Sequence, residues 1–260
     1  MEIVIIIVSV LLGLATKSTG AKIVLFVIAI GAFIVRRKRK NGSKAAPDVR
    51  RDLAVSLPPR EVPPYKRITV NTFLKNPPDE YVAFDLETTG LSPRTDRIIE
   101  IGAVYVDHGQ VISRFSQLIN PRMYIPAAAS EVNHITDDMV RKCPTIDRAL
   151  PEFCAFVGNA KILAAHNAKF DADFLMAAAQ ACGISLDVKF FDTLALSRAA
   201  WPDLKNHKLG TLAIKIKHPI GQAHRAADDA AVLPDLIETA TKAIRRAELK
   251  RAKEENTSNS

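Results

Sequence analysis

Residues 81–90 read YVAFDLETTG, an apolar run interrupted by two acidic residues, Asp85 and Glu87. The run predicts a short buried β-strand that ends at the turn-prone residues 88–90. Because side chains alternate along a strand, the two carboxylates point to the same face. Two such charges at the end of a buried strand are costly unless cations neutralise them. The segment therefore predicts a cation site at one edge of a sheet.

The sequence around this strand alternates between strand and helix patterns. Further strands are predicted at residues 98–106, 111–119, 162–165 and 188–191, the first two joined by a hairpin turn at residues 107–109. Helical spacing predicts helices at residues 146–157, 171–181, 193–200, 209–216 and 226–244. A globular α/β domain is expected from about residue 78 to residue 245.

Two more acidic residues stand at the starts of predicted helices. Asp171 follows the fourth strand, and Asp229 lies in the first turn of the last long helix. Each alone is equally well explained as a first-turn acid that favours the helix N-terminus. Together with Asp85 and Glu87 they offer four oxygen ligands for a hard cation, and His224 adds a titratable base.

Three segments carry a resemblance to a known family: FDLETTG at 84–90, HNAKFDADFL at 166–175 and HRAADDA at 224–230. Their order, the D-x-E spacing and the H-x4-D spacing resemble the exonuclease motifs of DEDDh 3′-5′ exonucleases. The resemblance is strongest to the DnaQ-like group, typified by the proofreading epsilon subunit of bacterial DNA polymerase III. It covers about residues 78–240. It implies a ribonuclease H-like fold, with a mixed five-stranded sheet flanked by helices, and two Mg²⁺ or Mn²⁺ ions.

The resemblance also implies a role for each catalytic residue. Asp85 would bridge both metal ions, while Glu87 and Asp229 would complete the coordination of the ion on the side of the nucleophile. Asp171 would support the second ion. His224 would take the proton from the attacking water, because imidazole titrates near neutral pH.

Five residues are candidates for contacts with the substrate: Thr88, Thr89, Phe170, Phe174 and His134. The resemblance implies that the two threonines hold the terminal nucleotide. The aromatic pair has helical spacing, which is more often typical of a core. Residues 131–136 read EVNHIT and resemble the V-H-x-I-T element of the family, but Asn133 stands where histidine is usual. This departure weakens a substrate role for the element, and His134 is equally explained as a hydrogen-bonding loop residue.

Composition narrows the function classes. The chain has 260 residues, 36 Lys+Arg against 28 Asp+Glu, and a formal net charge of +8. With 48% hydrophobic residues it is not a disordered polyelectrolyte, and its three cysteines do not form a disulfide framework. Residues 36–70 hold eleven Lys/Arg and three Asp/Glu, whereas residues 71–260 hold 23 and 24. The basic excess is thus confined to one short segment outside the predicted nuclease.

That segment follows two uncharged apolar runs, residues 3–15 and 23–35. Each run is short for a bilayer span, and the pair predicts either a tight transmembrane hairpin or one span with a second apolar segment. Residues 36–40 read RRKRK, and the positive-inside rule keeps all that follows in the cytoplasm. We therefore expect localisation at a membrane, the bacterial inner membrane, with lipid contacts through residues 1–40.

The predicted organisation has four parts: a membrane anchor at 1–35, a basic and then Pro-rich tether at 36–77, the exonuclease domain at 78–245, and a polar, frayed tail at 246–260. The predicted activity is hydrolysis of phosphodiester bonds from the 3′ ends of single-stranded DNA or RNA, with release of nucleoside 5′-monophosphates. One alternative is an exoribonuclease specific for short RNA or tRNA ends, since no residue decides the sugar. Another is an inactive nucleic-acid-binding or docking module, which the complete set of catalytic residues disfavours.

Overall fold

The computed structural model describes residues 57–219 and 225–258. The predicted anchor, the first part of the predicted tether and His224 lie outside these residues. Among the helices of the described part, none has the length and hydropathy that crossing a membrane requires.

A mixed six-stranded sheet forms the centre of the fold. Its strands are β1 Lys66–Ile68, β2 Glu80–Thr88, β3 Ile98–Asp107, β4 Gln110–Leu118, β5 Ile162–Ala165 and β6 Lys189–Asp192. They lie in the order β1-β6-β5-β2-β3-β4. The pairs β1–β6, β6–β5 and β5–β2 are parallel, and the pairs β2–β3 and β3–β4 are antiparallel. The mixed sheet agrees with the prediction, and so does the hairpin turn, where His108 and Gly109 both have positive φ. The predicted number of five strands is wrong by one.

The additional strand comes from the segment predicted to be a tether. Within residues 36–77, β1 pairs with β6, and a short helix, α1 Val70–Lys75, follows it. Phe73 of α1 is buried and stacks on Phe191 of β6 with the ring centroids 3.9 Å apart. The prolines of this segment concealed a three-residue strand with few apolar side chains. The segment contacts the sheet through pairing and through side chains that flank the strand, such as Tyr65 against Phe190, and composition does not reveal these contacts.

Helices cover both faces of the sheet. After α1 they are α2 Ala127–Asn133, α3 Asp137–Val140, α4 Ile146–Val157, α5 Lys169–Ala181, α6 Thr193–Ala200, α7 Leu209–Ile216 and α8 Ala226–Ser258. On one face, Phe84 of β2 packs in a core cluster with residues of α4 and α5. On the other face, Tyr81 and Ala83 pack in a cluster with residues of α6 and α8. Because Asp85 and Glu87 have the same parity as Tyr81 and Ala83, they lie on the α8 face.

The last helix is longer than predicted. α8 continues to Ser258, whereas the sequence predicted a helix to residue 244 and a frayed tail from residue 246. Residues 245–257 are exposed, so they gain nothing from packing. They contain neither Gly nor Pro, are rich in Lys, Arg, Glu and Ala, and include an i,i+4 pair between Lys250 and Glu254 at 3.7 Å. These local preferences favour a helix.

Candidate active site

Three carboxylates from two elements meet at one edge of the sheet. Asp85 and Glu87 lie near the end of β2, and Asp229 lies in the first turn of α8. One oxygen from each of the three residues lies within 4.8 Å of the other two. Residues separated by more than 140 positions in the sequence are thus brought together, as the motif spacing predicted. All three donors are oxygens, the ligands that hard divalent cations prefer.

Asp171 lies beside this three-carboxylate group. It occupies the first turn of α5, is only 3% exposed, and accepts a hydrogen bond from the N–H of Leu86 at 3.2 Å. Leu86 stands between Asp85 and Glu87 on β2, so the hydrogen bond fixes Asp171 next to both. Its charge contributes to the raised pKa of Asp85. Asp171, the fourth acidic residue of the predicted set, therefore lies at the site. It is positioned by α5, the helix that follows β5, and β5 is the parallel neighbour of β2.

The crowding of acidic groups makes ionisation of the site unfavourable when no cation is bound. Burial, followed by the charges of Asp171 and Asp229, raises the pKa of Asp85 well above its usual range. Burial, followed by the charge of Asp229, raises the pKa of Glu87 to about 8. Burial also raises the pKa of Asp171 to about 7. A divalent cation would supply the missing positive charge and let these carboxylates ionise at neutral pH.

This electrostatic arrangement predicts a pH dependence of stability without metal. The pKa of Glu87 in the folded protein lies above its ordinary value of 4.5, so between these values the folded state holds a proton that the unfolded state has lost. Stability must then fall as pH rises through this window. We expect the melting temperature in chelator to fall by about 3 °C or more between about pH 5 and pH 8. Added Mg²⁺ should reverse most of the loss.

Thermal denaturation followed by circular dichroism measures this effect. The Glu87→Gln variant is the control, since it removes one of the titrating groups and should show a flatter slope. A wild-type melting temperature that rises over the same pH range in chelator would contradict the electrostatic account of the site.

Glu100 is a functional candidate that the sequence analysis missed. It lies on β3 directly opposite Glu87, and its side chain is completely buried. It accepts hydrogen bonds from Nε and Nη2 of Arg225, at 3.2 and 2.7 Å, and from the N–H of Ala226 at 3.1 Å. The available signal was an acidic residue inside the apolar run IIEIGAV at 98–104, where a charge needs a partner.

The predicted substrate residues are not equivalent in the structure. Phe174 is completely buried in the core with α4 and β2, in agreement with the core interpretation of its helical spacing, and it offers no exposed surface to a substrate in this structure. Phe170 is only partly buried and lies against Phe174, with ring centroids 5.0 Å apart. The hydroxyl of Thr88 donates to the carbonyl of Gly90 at 2.6 Å, and the hydroxyl of Thr89 accepts from the N–H of Arg97 at 2.9 Å. In this structure the threonine hydroxyls therefore hold the loop after β2.

Asn133 and His134 end helix α2 beside this loop. Asn133 is buried, donates to the carbonyl of Thr88 at 3.3 Å and accepts from the N–H of Ile135 at 3.1 Å. Its side chain also lowers the pKa of Glu87, opposing the effect of burial. His134 is exposed and has a left-handed backbone, with φ of 58°. Asn133, which stands where the family usually has histidine, thus links the end of α2 to β2 by a hydrogen bond. A contact of His134 with substrate stays a prediction.

His224 lies outside the described residues, so its predicted role as a base stays a prediction. The structure does fix the residue that follows it in the chain. Arg225 is held by Glu100, and its carbonyl accepts from the N–H groups of Asp228 and Asp229 at 2.9 and 3.0 Å.

Comparison with known proteins assigns the chain to an exonuclease family. The sequence model of the RNase T family, described as Exonuclease, matches residues 82–236. The chain belongs to this exonuclease family. The epsilon subunit of DNA polymerase III from Treponema pallidum is 44% identical over 162 residues, which cover 61% of this chain and 75% of that protein. The PolC-type DNA polymerase III of Clostridium perfringens is 40% identical over 178 residues, which cover 68% of this chain and 12% of that polymerase. The chain thus spans only a small part of the PolC-type relatives.

Solved structures confirm the fold class. Exonuclease X in complex with 5′ overhanging duplex DNA is 26% identical, with a TM-score of 0.52 over 62% of this chain and 91% of that chain. E. coli Exonuclease I in complex with a dT13 oligonucleotide has a TM-score of 0.56 at 18% identity, over 67% of this chain and 43% of that one. The nuclease domain of 3′hExo, a DEDDh family member bound to rAMP, has a TM-score of 0.53 at 17% identity, over 66% of this chain and 94% of that chain. The domain has the ribonuclease H-like fold of these exonucleases.

Proposed function

We propose that this protein is a 3′-5′ exonuclease that uses two Mg²⁺ or Mn²⁺ ions to release nucleoside 5′-monophosphates from 3′ ends. The observation that carries the proposal is the meeting of Asp85, Glu87 and Asp229 in a group of oxygen donors within 4.8 Å. Membership of the exonuclease family supports the reaction class. The relation to an epsilon subunit supports the 3′-5′ direction by analogy.

Each residue of the site has a defined task in this proposal. Asp85 would contribute to the binding of both ions, Glu87 and Asp229 would hold the ion nearer the attacking water, and the buried Asp171 would support the other. When bound, the ions stabilise negative charge on the attacking and leaving oxygens of the phosphodiester. His224 accepts the proton of the attacking water, a role that suits an imidazole near neutral pH.

The substrate is a single-stranded 3′ end, and DNA is the favoured first candidate. The polymerase relatives and the complex of Exonuclease I with dT13 support DNA. The complexes of 3′hExo with rAMP and of a 3′-exonuclease with a histone mRNA stem-loop support RNA as the alternative. A purely docking role is disfavoured, because all four acidic residues of the site are present and lie together.

A substrate panel tests the proposal. Full-length protein purified in detergent is incubated with 3′-labelled DNA and RNA, each single-stranded or duplex, in Mg²⁺, Mn²⁺ or chelator. We expect metal-dependent shortening, fastest on single strands, with the DNA and RNA rates deciding between the two nuclease hypotheses. Absence of metal-dependent shortening on every substrate would reject the proposed function.

We also propose that residues 1–35 anchor the enzyme in the bacterial inner membrane, with the nuclease domain on the cytoplasmic side and residues 36–40 on anionic lipid headgroups. The support comes from the sequence: two uncharged apolar runs followed by RRKRK. The full chain is expected in the membrane fraction after a wash with high salt. Deletion of residues 1–35 should shift it to the soluble fraction with nuclease activity retained. Full-length protein that is soluble at low salt would contradict the anchor.

A further inference from the structure

The start of helix α8 is fastened to the sheet by one buried acidic residue. Among the described residues, three groups donate to Glu100, and they belong to Arg225, which precedes α8, and to Ala226, its first residue. Glu100 is 0% exposed, whereas the side chain of Arg225 is 28% exposed. The carboxylate thus faces the helix start with both oxygens, one toward Nη2 of Arg225 and the other toward Nε and the N–H of Ala226.

The backbone contact beside this ion pair is very close. A Cβ atom placed on Gly102 of β3 would lie 2.0 Å from the carbonyl carbon of Ala226 and 2.1 Å from the nitrogen of Ala227. Gly102 is the register partner of Asp85 on β2. The backbone at the start of α8 therefore packs directly against β3, next to the position of Asp85 on β2. Asp229 follows one turn later, since its N–H donates to the carbonyl of Arg225 at 3.0 Å.

Glu100 places a further carboxylate beside the acidic group of the site. Its charge contributes to the raised pKa values of Asp85 and Glu87, so it adds a further anion to an acidic cluster. Replacing a buried ion pair by well-packed apolar residues is often neutral or stabilising. A pair whose acid is buried next to three carboxylates is therefore better explained by the geometry that it imposes than by stability.

We propose that Glu100 is a positioning residue: by fixing Arg225 and the N–H of Ala226, it sets Asp229 against Asp85 and Glu87 and so determines the affinity of the site for divalent cations. The consequence for turnover rests on the proposed function, but the consequence for cation binding does not. Residues that orient metal ligands commonly change affinity about 10- to 100-fold when replaced.

Two variants separate positioning from a simple effect of charge. Glu100→Gln removes a negative charge, and Arg225→Gln removes a positive one. If only charge mattered, the first variant would weaken cation binding and the second would strengthen it. If the pair positions Asp229, both variants weaken binding, because either change releases the start of α8.

The measurement is the binding of Mn²⁺ to full-length protein in detergent, followed by electron paramagnetic resonance of the free ion. We expect the dissociation constant to rise about 10-fold in each single variant. The dissociation constant of the double variant should be no higher than that of the single variant that binds less tightly, since the two residues act as one unit. An unchanged or lower dissociation constant for Arg225→Gln would overturn the inference.

The control for loss of stability is Ile237→Ala. Ile237 is 5% exposed in the core under α8, two turns beyond Asp229. This variant should lower the melting temperature and leave Mn²⁺ binding unchanged. If it weakens Mn²⁺ binding as much as Glu100→Gln does, the effect is general destabilisation and the positioning role fails.

The outcomes also distinguish this inference from the proposed function. Wild-type protein that binds Mn²⁺ in the expected manner but hydrolyses no nucleic acid would reject the nuclease and leave the positioning role intact. An active wild-type enzyme whose Glu100→Gln and Arg225→Gln variants bind Mn²⁺ normally would reject the positioning role alone.

Discussion

Replacing Asp85 by Asn is expected to lower the turnover of the exonuclease at least about 10³-fold, equivalent to about 4 kcal/mol of transition-state stabilisation. Asp85 shares the three-carboxylate group with Glu87 and Asp229, and the charges of these two residues and of Asp171 all contribute to its raised pKa. It is therefore the residue best placed to be shared by two cations. An amide of the same size retains one oxygen but loses the negative charge that a cation needs.

The same substitution should stabilise the protein without metal. Because the raised pKa of Asp85 means that the folded protein must hold this carboxyl protonated at neutral pH without metal, Asn removes that cost, and the melting temperature in chelator should rise rather than fall. This combination of lost turnover and increased stability distinguishes a catalytic role from misfolding. The matched control is Glu80→Gln at the opposite end of β2, where Glu80 is exposed and accepts from the hydroxyl of Tyr105 at 2.6 Å. Near wild-type turnover in Asp85→Asn would show that the site has been assigned incorrectly.

Replacing Gly102 by Ala is expected to have the largest structural effect of any single methyl addition at the site. The new Cβ would overlap the backbone of Ala226 and Ala227, which cannot yield by a side-chain rotation. Overpacking of this kind costs about 1–3 kcal/mol or more, which corresponds to a melting temperature lower by about 5 °C in a domain of this size. Because α8 must move outward, Asp229 moves with it, and turnover should fall at least about 10-fold.

A second glycine supplies the control. A Cβ on Gly210, in the first turn of α7, would meet no atom within 4 Å. Gly210→Ala should therefore be neutral or stabilising by up to about 1 kcal/mol, through improved helix propensity, with unchanged turnover. Both variants are compared by thermal denaturation and by initial rates on the same single strand. Equal behaviour of the two would mean that the contact between β3 and α8 is unimportant.

The elements that the sequence predicted best are those with strong local patterns. The central strand around Phe84 is a run of apolar residues that only a buried strand explains, and the hairpin at His108 and Gly109 has a turn signal of its own. The cluster of Asp85, Glu87, Asp171 and Asp229 followed from motif spacing together with the cost of isolated buried charges. These are properties of short segments, so they are visible without the fold.

What the sequence concealed depends on contacts between distant segments. β1 is recognised only through its pairing with β6, and the partner that the buried Glu100 needs, Arg225, lies 125 positions later. Phe174 has a helical spacing that suits both a core and a binding surface, and only its complete burial decides. The helix beyond residue 244 was missed for the opposite reason, because a polar composition was given more weight than helix propensity.

The net charge of +8 also has a different meaning once it is divided along the chain. The predicted nuclease region from residue 71 onward has nearly equal numbers of acidic and basic residues. Its site is a cluster of acids rather than a basic surface, and cations would provide the charge that a phosphodiester requires. The five basic residues at 36–40, part of the excess in residues 36–70, are assigned instead to the proposed lipid contact.

The most direct test of the central claim is the end from which a strand is shortened and its dependence on metal. The full chain is given the same single-stranded DNA labelled either at its 3′ end or at its 5′ end, with Mg²⁺ or with chelator. The account predicts that the 3′ label appears at once as a mononucleotide, that the 5′-labelled strand shortens one nucleotide at a time, and that chelator stops both. Release of the 5′ label as the first mononucleotide, internal cleavage, or shortening that persists in chelator would contradict it.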